Sequence, residues 1–448
     1  MTRRHGFALL TAIVAVIVAL STAIYVSVAA DSGTTDRTSE LSGARPGHPS
    51  AAPASTSLWV GAWSAAPVGA EPGTATDGLA GRSLRNVVHS GVGGTSARVT
   101  LSNLYGRSAL TITHASLALA SGTGTAAAVA DTMRRLTFGG STTVVVAAGA
   151  QVLSDAVALT VPAGADLLVT TYSPVPAGPV TYHPTARQIS YAADGDLTED
   201  VTGTAYTQPT DHWRYVTAVD VLSHGAEGTV VAFGDSLTDG KNSTLNANHR
   251  WPDYLSRRLS EALAEGRGLP RYSVVNAGIG GNQVLKNGPA GQAPTPENQA
   301  GVDRFTRDVL DRPNVKVVVI DLGINDIGRN KKLADPKAIV AGLRTLVHQA
   351  HTHGIKVIGA TLMPSGGHRG WTEAREEVRE QVNAEIRKGR VYDEVVDFDK
   401  AVRDPYDPRK FRAVYDSGDH LHPSDKGYER MAQYFDLNAL KGSVPAQL

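Results

Sequence analysis

From Leu58 to about His224, apolar and polar residues alternate in short runs broken by Gly, Pro and Asn. Examples are Ala97-Arg98-Val99-Thr100-Leu101, Leu110-Thr111-Ile112-Thr113, Thr142-Thr143-Val144-Val145-Val146 and Leu167-Leu168-Val169-Thr170-Thr171-Tyr172. A period of two puts successive side chains on opposite faces, so each run predicts a strand. Many short strands at this spacing favour an all-β sandwich or jelly-roll-like domain over residues 58–224. After Gly225 the rhythm changes to continuous apolar runs at 229–233, 273–276, 315–322, 355–361 and 394–398. Helical periodicity lies between and after them at 251–265, 301–310, 336–353, 372–388 and 424–435. Apolar strands alternating with helices imply a parallel sheet covered on both faces, an α/β domain over residues 225–448. Ligands of such sheets sit beyond the carboxyl ends of the strands, which is where chemistry is to be sought.

The ends of the pattern and the composition narrow the setting. Arg3 and Arg4 precede an uncharged apolar run over residues 6–30 that closes on Val28-Ala29-Ala30, the small residues a signal peptidase needs. About 20 apolar residues also suffice to span a bilayer, so residues 1–30 read as a signal peptide or as a membrane tether, with the rest of the chain outside in both cases. Residues 31–57 are rich in Ser, Thr, Gly, Pro and Ala and predict a disordered linker. Lys+Arg and Asp+Glu each total 43 in the 448 residues, so no bulk charge draws the protein to nucleic acid. The chain has no cysteine, which excludes disulfides, thiolate nucleophiles and Cys-bound zinc.

Four short blocks carry candidate chemistry, each just after a predicted strand or near the end of the chain. Gly234-Asp235-Ser236-Leu237 places Ser236 in a glycine-flanked turn where its own N–H is free for an oxyanion, although serine in such a turn is often only a cap. Asn276-Ala277-Gly278-Ile279-Gly280-Gly281-Asn282 lets the backbone pass close to a ligand, and it lacks the G-x-G-x-x-G of a dinucleotide loop. Gly323-Ile324-Asn325-Asp326 could aim the Asn325 amide at the same oxyanion or merely cap a helix. Asp419-His420-Leu421-His422-Pro423 sets a carboxylate three residues before His422, within reach of its ring, so that the other ring nitrogen can accept a serine proton. His420 and His422 could instead be half of a metal site, but no other group has convincing ligand spacing.

Together and in this order, these blocks resemble the SGNH (GDSL) hydrolase superfamily, with Ser236, Gly281, Asn325 and His422 where its four name-giving residues belong. The neighbouring Gly280 leaves the third block open by one residue. Leu58-Trp59-Val60-Gly61-Ala62-Trp63, Arg98-Val99-Thr100-Leu101-Ser102-Asn103 and Asp416-Ser417-Gly418-Asp419 further resemble a secreted two-domain bacterial subgroup, some of whose members lie near xylan-degrading systems. The resemblance implies a flavodoxin-like three-layer domain preceded by a β-domain, and an ester hydrolase needing no metal or organic cofactor. It implies Ser236 as nucleophile, His422 and Asp419 as its partners, and an oxyanion hole from the N–H groups of Ser236 and Gly281 and the amide of Asn325. The expected partner is an ester substrate, with acylated polysaccharide as one candidate. A lipase or lysophospholipase, or an acyltransferase, would use the same triad, and an inert surface binding module is the non-enzymatic alternative.

The remaining polar positions receive plainer expectations. Asp235, Asp239 and Asp326 are expected to serve turns and caps. The loops 283–299 and 363–371, the latter with His368, either shape the acyl or alcohol pocket or are solvated surface. Arg379, Glu380 and the other charges beyond Thr372 predict a solvated helix face. Trp59, Trp63 and Trp213 could stack on a sugar, although aromatics in a β-domain more often fill its core.

Overall fold

Glycine, alanine and β-branched residues make Gly228–Gly234 a strand buried at every position, which suits the middle of a parallel sheet. The computed structural model describes residues 57–288, 298–330 and 332–442. The candidate export segment 1–30, all but the last residue of the 31–57 linker, and the middle of the 283–299 loop lie outside the described residues.

The parallel sheet has five strands: β1 (Gly228–Gly234), β2 (Tyr272–Gly278), β3 (Val315–Asp321), β4 (Lys356–Ala360) and β5 (Glu394–Val396). Their order is β2-β1-β3-β4-β5 with every pairing parallel, the flavodoxin-like arrangement. The helices are α1 (Ser236–Asp239), α2 (Trp251–Ala264), α3 (Gly301–Phe305), α4 (Ile324–Gly328), α5 (Pro336–His351), α6 (Glu373–Arg387), α7 (Phe398–Val402) and α8 (Asp425–Tyr434). Along β1, Val230 and Ala232 face a core shared with Trp251, Leu255 and Leu259 of α2 and Met431 of α8. Val231 and Phe233 face the opposite core, with Leu343 and Leu346 of α5 and Val382 of α6. Helix starts follow local chemistry: Asp335 accepts from Lys337 N with Pro336 in the first turn, and Ser424 accepts from Gly427 N. The pattern over 301–310 departs from a plain α-helix after Phe305, where the chain widens and Asp311 N donates to Thr306 O at 2.9 Å.

Residues 58–223 form antiparallel sheets. One runs Leu58–Ser64, Val216–Ser223, Gly94–Ser102, Val157–Val161, and a six-stranded one is centred on Arg82–His89 and Asp166–Ser173. Every second residue of Gly94–Ser102, namely Ala97, Val99 and Leu101, joins Leu84, Val88, Leu117, Leu167 and Val169 of the other sheet in one core, a sandwich. Trp63 and Trp213 are buried and meet edge to face at 4.8 Å, and the Trp213 indole donates to Val87 O. Both are core residues, so the sugar-stacking alternative fails for them. Trp59 is half-buried with the Arg98 guanidinium 4.4 Å from its ring centre.

The sandwich packs directly on the parallel sheet. Ser64 Oγ donates to Asn276 O at 2.7 Å, Gly61 N to Thr229 Oγ1 at 3.1 Å, and Asn314 Nδ2 to Trp59 O at 2.8 Å. Gly61 permits this approach, because a Cβ there would lie 2.9 Å from Val275 Cγ1.

Candidate active site

β1 ends in Gly234, Asp235 caps α1 by accepting from Leu237 N at 3.0 Å, and Ser236 opens the helix. As the first helical residue, Ser236 has no intrahelical acceptor for its N–H. The Asn276 side chain at the end of β2 donates to Thr238 O at 2.6 Å and accepts from Gly278 N at 2.8 Å, fastening α1 to the neighbouring strand. Beneath them the fully buried Arg304 donates to Gly234 O, Ala277 O, Asn282 Oδ1 and Asp308 Oδ2 at 2.8–2.9 Å. Burial lowers its pKa to about 10 against the opposing pull of Asp308, so Arg304 stays charged at neutral pH.

Ser236 Oγ lies 2.9 Å from His422 Nε2, and His422 Nδ1 lies 2.7 Å from Asp419 Oδ2. Asp419 Oδ1 also accepts from the backbone N–H groups of Leu421 and His422. Burial alone would raise the Asp419 pKa, but the hydrogen bonds and charge of His422 outweigh it and hold the carboxyl well below its usual range. An ionised Asp419 accepts only, so His422 Nδ1 carries the proton and Nε2 is left to take one from Ser236. His420, the other candidate ligand, instead pairs through Nδ1 with Asp416 Oδ2 at 2.6 Å.

Asn325, in the first turn of α4, donates from Nδ2 to Asp235 Oδ2 at 2.9 Å and accepts at Oδ1 from Arg329 Nε at 3.0 Å. These two partners fix which way the amide faces and leave Nδ2 one more hydrogen to donate. Asn282 N donates to Ile279 O at 3.1 Å, closing a turn with Gly280 and Gly281 at its centre, and Gly281 has φ of +74°. The positive φ favours glycine at 281, and a Cβ there would stand 2.5 Å from Arg329 Nη2 and displace that guanidinium.

The three aspartates expected at turns do more than cap. Asp235 holds Asn325 as well as Leu237 N, and burial together with the charge of Asp321 pushes its carboxyl well above the usual range. Burial takes Asp321, at the end of β3, up to about 7 despite the hydrogen bond from Thr238. Asp239 accepts from His183 Nε2 of the sandwich at 3.0 Å, with His183 Nδ1 on Ala66 O. Asp326 accepts from Val284 N and Leu285 N and is raised by burial to about 6.

A pocket of ≈ 400 Å³ opens beside Asn325 and His422. His368, Arg369, Gly370 and Trp371 of the 363–371 loop line it, whereas no described residue of the 283–299 loop does. The solvated-face expectation for α6 fails at Arg379. Its guanidinium is buried and donates to Glu376, Glu380 and Asp399, a partner from beyond β5 that helical periodicity could not reveal. Sequence reasoning also missed Asn242, whose Nδ2 donates to both Asp419 Oδ2 and Ser417 Oγ at 2.9 Å. An asparagine just past a glycine turn, here with φ of +67°, was the available signal.

Residues 232–430 match the GDSL-like lipase/acylhydrolase family. The C-terminal region belongs to that family. The protein is therefore an ester-hydrolysing enzyme of the GDSL type. No curated protein sequence matches it significantly. Among solved structures it is similar to a lipolytic protein of the G-D-S-L family from Desulfitobacterium hafniense, at 23% identity over 46% of this chain and 97% of that one, TM-score 0.35. A lipase/acylhydrolase from Enterococcus faecalis shows 22% identity over 49% of this chain and 100% of that one, TM-score 0.35. A family two carbohydrate esterase from Clostridium thermocellum, solved with cellohexaose, shows 16% identity over 78% and 90%, TM-score 0.33.

Proposed function

We propose that this GDSL hydrolase is an exported serine carboxylesterase with Ser236 as nucleophile, His422 as general base and acid, and Asp419 as the ionised partner that orients the imidazole. The observation that carries this reading is the unbroken hydrogen-bonded chain from Ser236 Oγ through His422 to Asp419. Ser236 Oγ bonds to the ester carbonyl carbon as its proton passes to His422 Nε2, and the carbonyl π pair moves onto oxygen. Collapse of that tetrahedral species breaks the carbon–alkoxy bond, and the departing alcohol takes the proton from His422. Water, deprotonated by His422, then attacks the acyl-enzyme, and the same steps release the acid and restore Ser236.

The oxyanion donors in this reading are the N–H groups of Ser236 and Gly281 and the second Nδ2 hydrogen of Asn325. Gly281 is preferred over Gly280 because it packs against Arg329, which holds Asn325. Loss of one such donor costs about 10²–10³ in kcat. The apolar run 6–30 behind Arg3 and Arg4 supports export, with the segment either cleaved or kept as a tether. The likeness of Leu58-Trp59-Val60-Gly61-Ala62-Trp63 to a subgroup found near xylan-degrading systems supports an acylated polysaccharide as substrate.

A fluorophosphonate probe is expected to add its mass to the peptide holding Ser236 in wild-type protein and to leave Ser236→Ala unmodified. Wild-type protein that stays unmodified, or reacts elsewhere, would overturn the assignment. Acetate release from acetylated xylan tests the substrate, and a strong preference for long acyl chains would replace carbohydrate with lipid. The mass of the chain recovered outside the cell reports whether the leader is removed.

A further inference from the structure

The pocket beside Asn325 and His422 has an apolar wall that includes Ile324, Trp371 and Leu421, and a rim that carries excess positive charge. The only carboxylate among its described lining residues is Glu376. That carboxylate is already committed: Oε1 accepts from Arg379 Nη2 at 2.6 Å, and Oε2 from Arg379 Nε at 3.1 Å and Trp371 Nε1 at 3.3 Å. Arg379 is in turn paired with Glu376, Glu380 and Asp399, the last two shared with Arg387, and adds little field.

Arg369 and Arg375 have no such compensation. Arg375 gives Nη1 to Gly370 O at 2.5 Å and Nη2 to Asn330 O at 2.8 Å, both backbone carbonyls, so its geometry is held while its charge is not cancelled. Arg369 is exposed and makes no ion pair among the described residues. His368, between them and the triad, is held below its usual pKa by burial, with His422 and Arg369 adding to it against Asp419, so at neutral pH it adds no charge. Cations at the mouth of a low-dielectric pocket focus potential into it and raise the local concentration of anions.

We infer that this pocket receives an anionic ester, with a carboxylate on the alcohol or the acyl part set between Trp371 and the guanidinium groups of Arg369 and Arg375. A polysaccharide bearing uronic acid residues has this chemistry on the alcohol side, and a half-ester of a dicarboxylic acid has it on the acyl side. The inference rests on the serine esterase reading of the adjacent triad. Arg375 is the positioned contact, and Arg369, free to swing, is the steering one.

Two matched pairs of esters test it. 4-Acetoxybenzoate against 4-acetoxybenzamide places the charge on the alcohol side, and 4-nitrophenyl hydrogen adipate against 4-nitrophenyl hexanoate places it on the acyl side. In one pair kcat/KM for the anion is expected to exceed that for the neutral ester by about tenfold at low salt. Raising NaCl from 50 to 300 mM is expected to erase most of that preference by screening. The preference should fall severalfold in Arg369→Ala and in Arg375→Ala and persist in Arg369→Lys. Equal rates within each pair, or a preference indifferent to salt and to both alanine substitutions, would overturn the inference while neutral-ester turnover left the triad reading standing. Absence of turnover on all four esters would overturn the triad reading and this inference with it.

Discussion

Ser236 sits in a four-residue helix that is buried throughout, whereas the Asp419 side chain that pairs with His422 is 40% exposed on a loop near the end of the chain. The arm with the proposed nucleophile is positioned from beneath: Arg304 grips the ends of β1 and β2, Asn276 grips α1, and Asp235 grips Asn325. The arm with the proposed acid–base pair is positioned from its sides. Asp419 is met by two backbone N–H groups of its own turn and by Asn242, which arrives from a segment 177 residues earlier. That segment is held by the C-terminal helix through Tyr428 Oη to Lys241 O. It is also held by the sandwich, through Arg187 to Ser243 O and Ile189 N to Asn246 Oδ1. Both halves of the site thus touch the sandwich: α1 through His183 to Asp239, and the Asp419 loop through the segment that carries Asn242.

The largest expected effect comes from the buried arm. Ser236→Ala should lower kcat on a neutral aryl ester by about 10⁴ or more with the thermal midpoint unchanged, measured by initial rates and circular dichroism. Retained turnover would mean that the buried arm is not the chemical one. Asp419→Asn should cost about 10³–10⁴ in kcat, because the amide no longer fixes the His422 tautomer or offsets its charge. If the arms act as one unit, adding Asp419→Asn to Ser236→Ala costs almost nothing further. Additive losses would separate them.

Stability separates the arms by pH. Asp321, beneath α1, is raised to about 7, so between its unfolded value near 4 and that pH the folded protein keeps a proton that the unfolded chain has released. This group therefore lowers folding stability as pH rises through this window, by at most about 1.4 kcal/mol per pH unit, and the raised Asp235 and Asp326 act in the same direction. Asp321→Asn should lessen that decline between pH 5 and 7 in urea unfolding. A wild-type midpoint that does not fall across this range would show that Asp321 is ionised and compensated. Asp419 has the opposite sign: its lowered pKa contributes stability above its unfolded value that is lost as pH falls.

The same division explains what was legible in the sequence. The runs 229–233, 273–276 and 315–322 are continuous and apolar because both faces of the sheet are covered, so the strands and the motifs that follow them could be read locally. Ser236 and Asn325 each come just after a strand, and the Asp419/His422 pair is a local spacing. Arg304, Asp321 and Arg379 escaped because charged residues read as surface unless their buried partners are known, and those partners lie in other elements. The His183–Asp239 bond between the sandwich and α1 escaped for the same reason, as no periodicity links residues 56 positions apart.

Asn242 gives the smallest and most discriminating prediction. It donates to Asp419 and Ser417 and does not line the pocket beside Asn325 and His422, so it is a positioning residue, and its bond to Asp419 is worth more than usual because the acceptor is charged. Asn242→Ala should lower kcat by about tenfold with KM nearly unchanged, since the loss falls on His422 orientation and not on binding. It should also move the acid limb of the kcat profile, because Asp419 would lose a hydrogen bond that favours its ionised form. Asn242→Ser, which can still donate, should recover part of the rate. A loss confined to thermal stability, with kcat and its pH profile intact, would mean that the exposed arm is held by its own turn and not by the segment that carries Asn242.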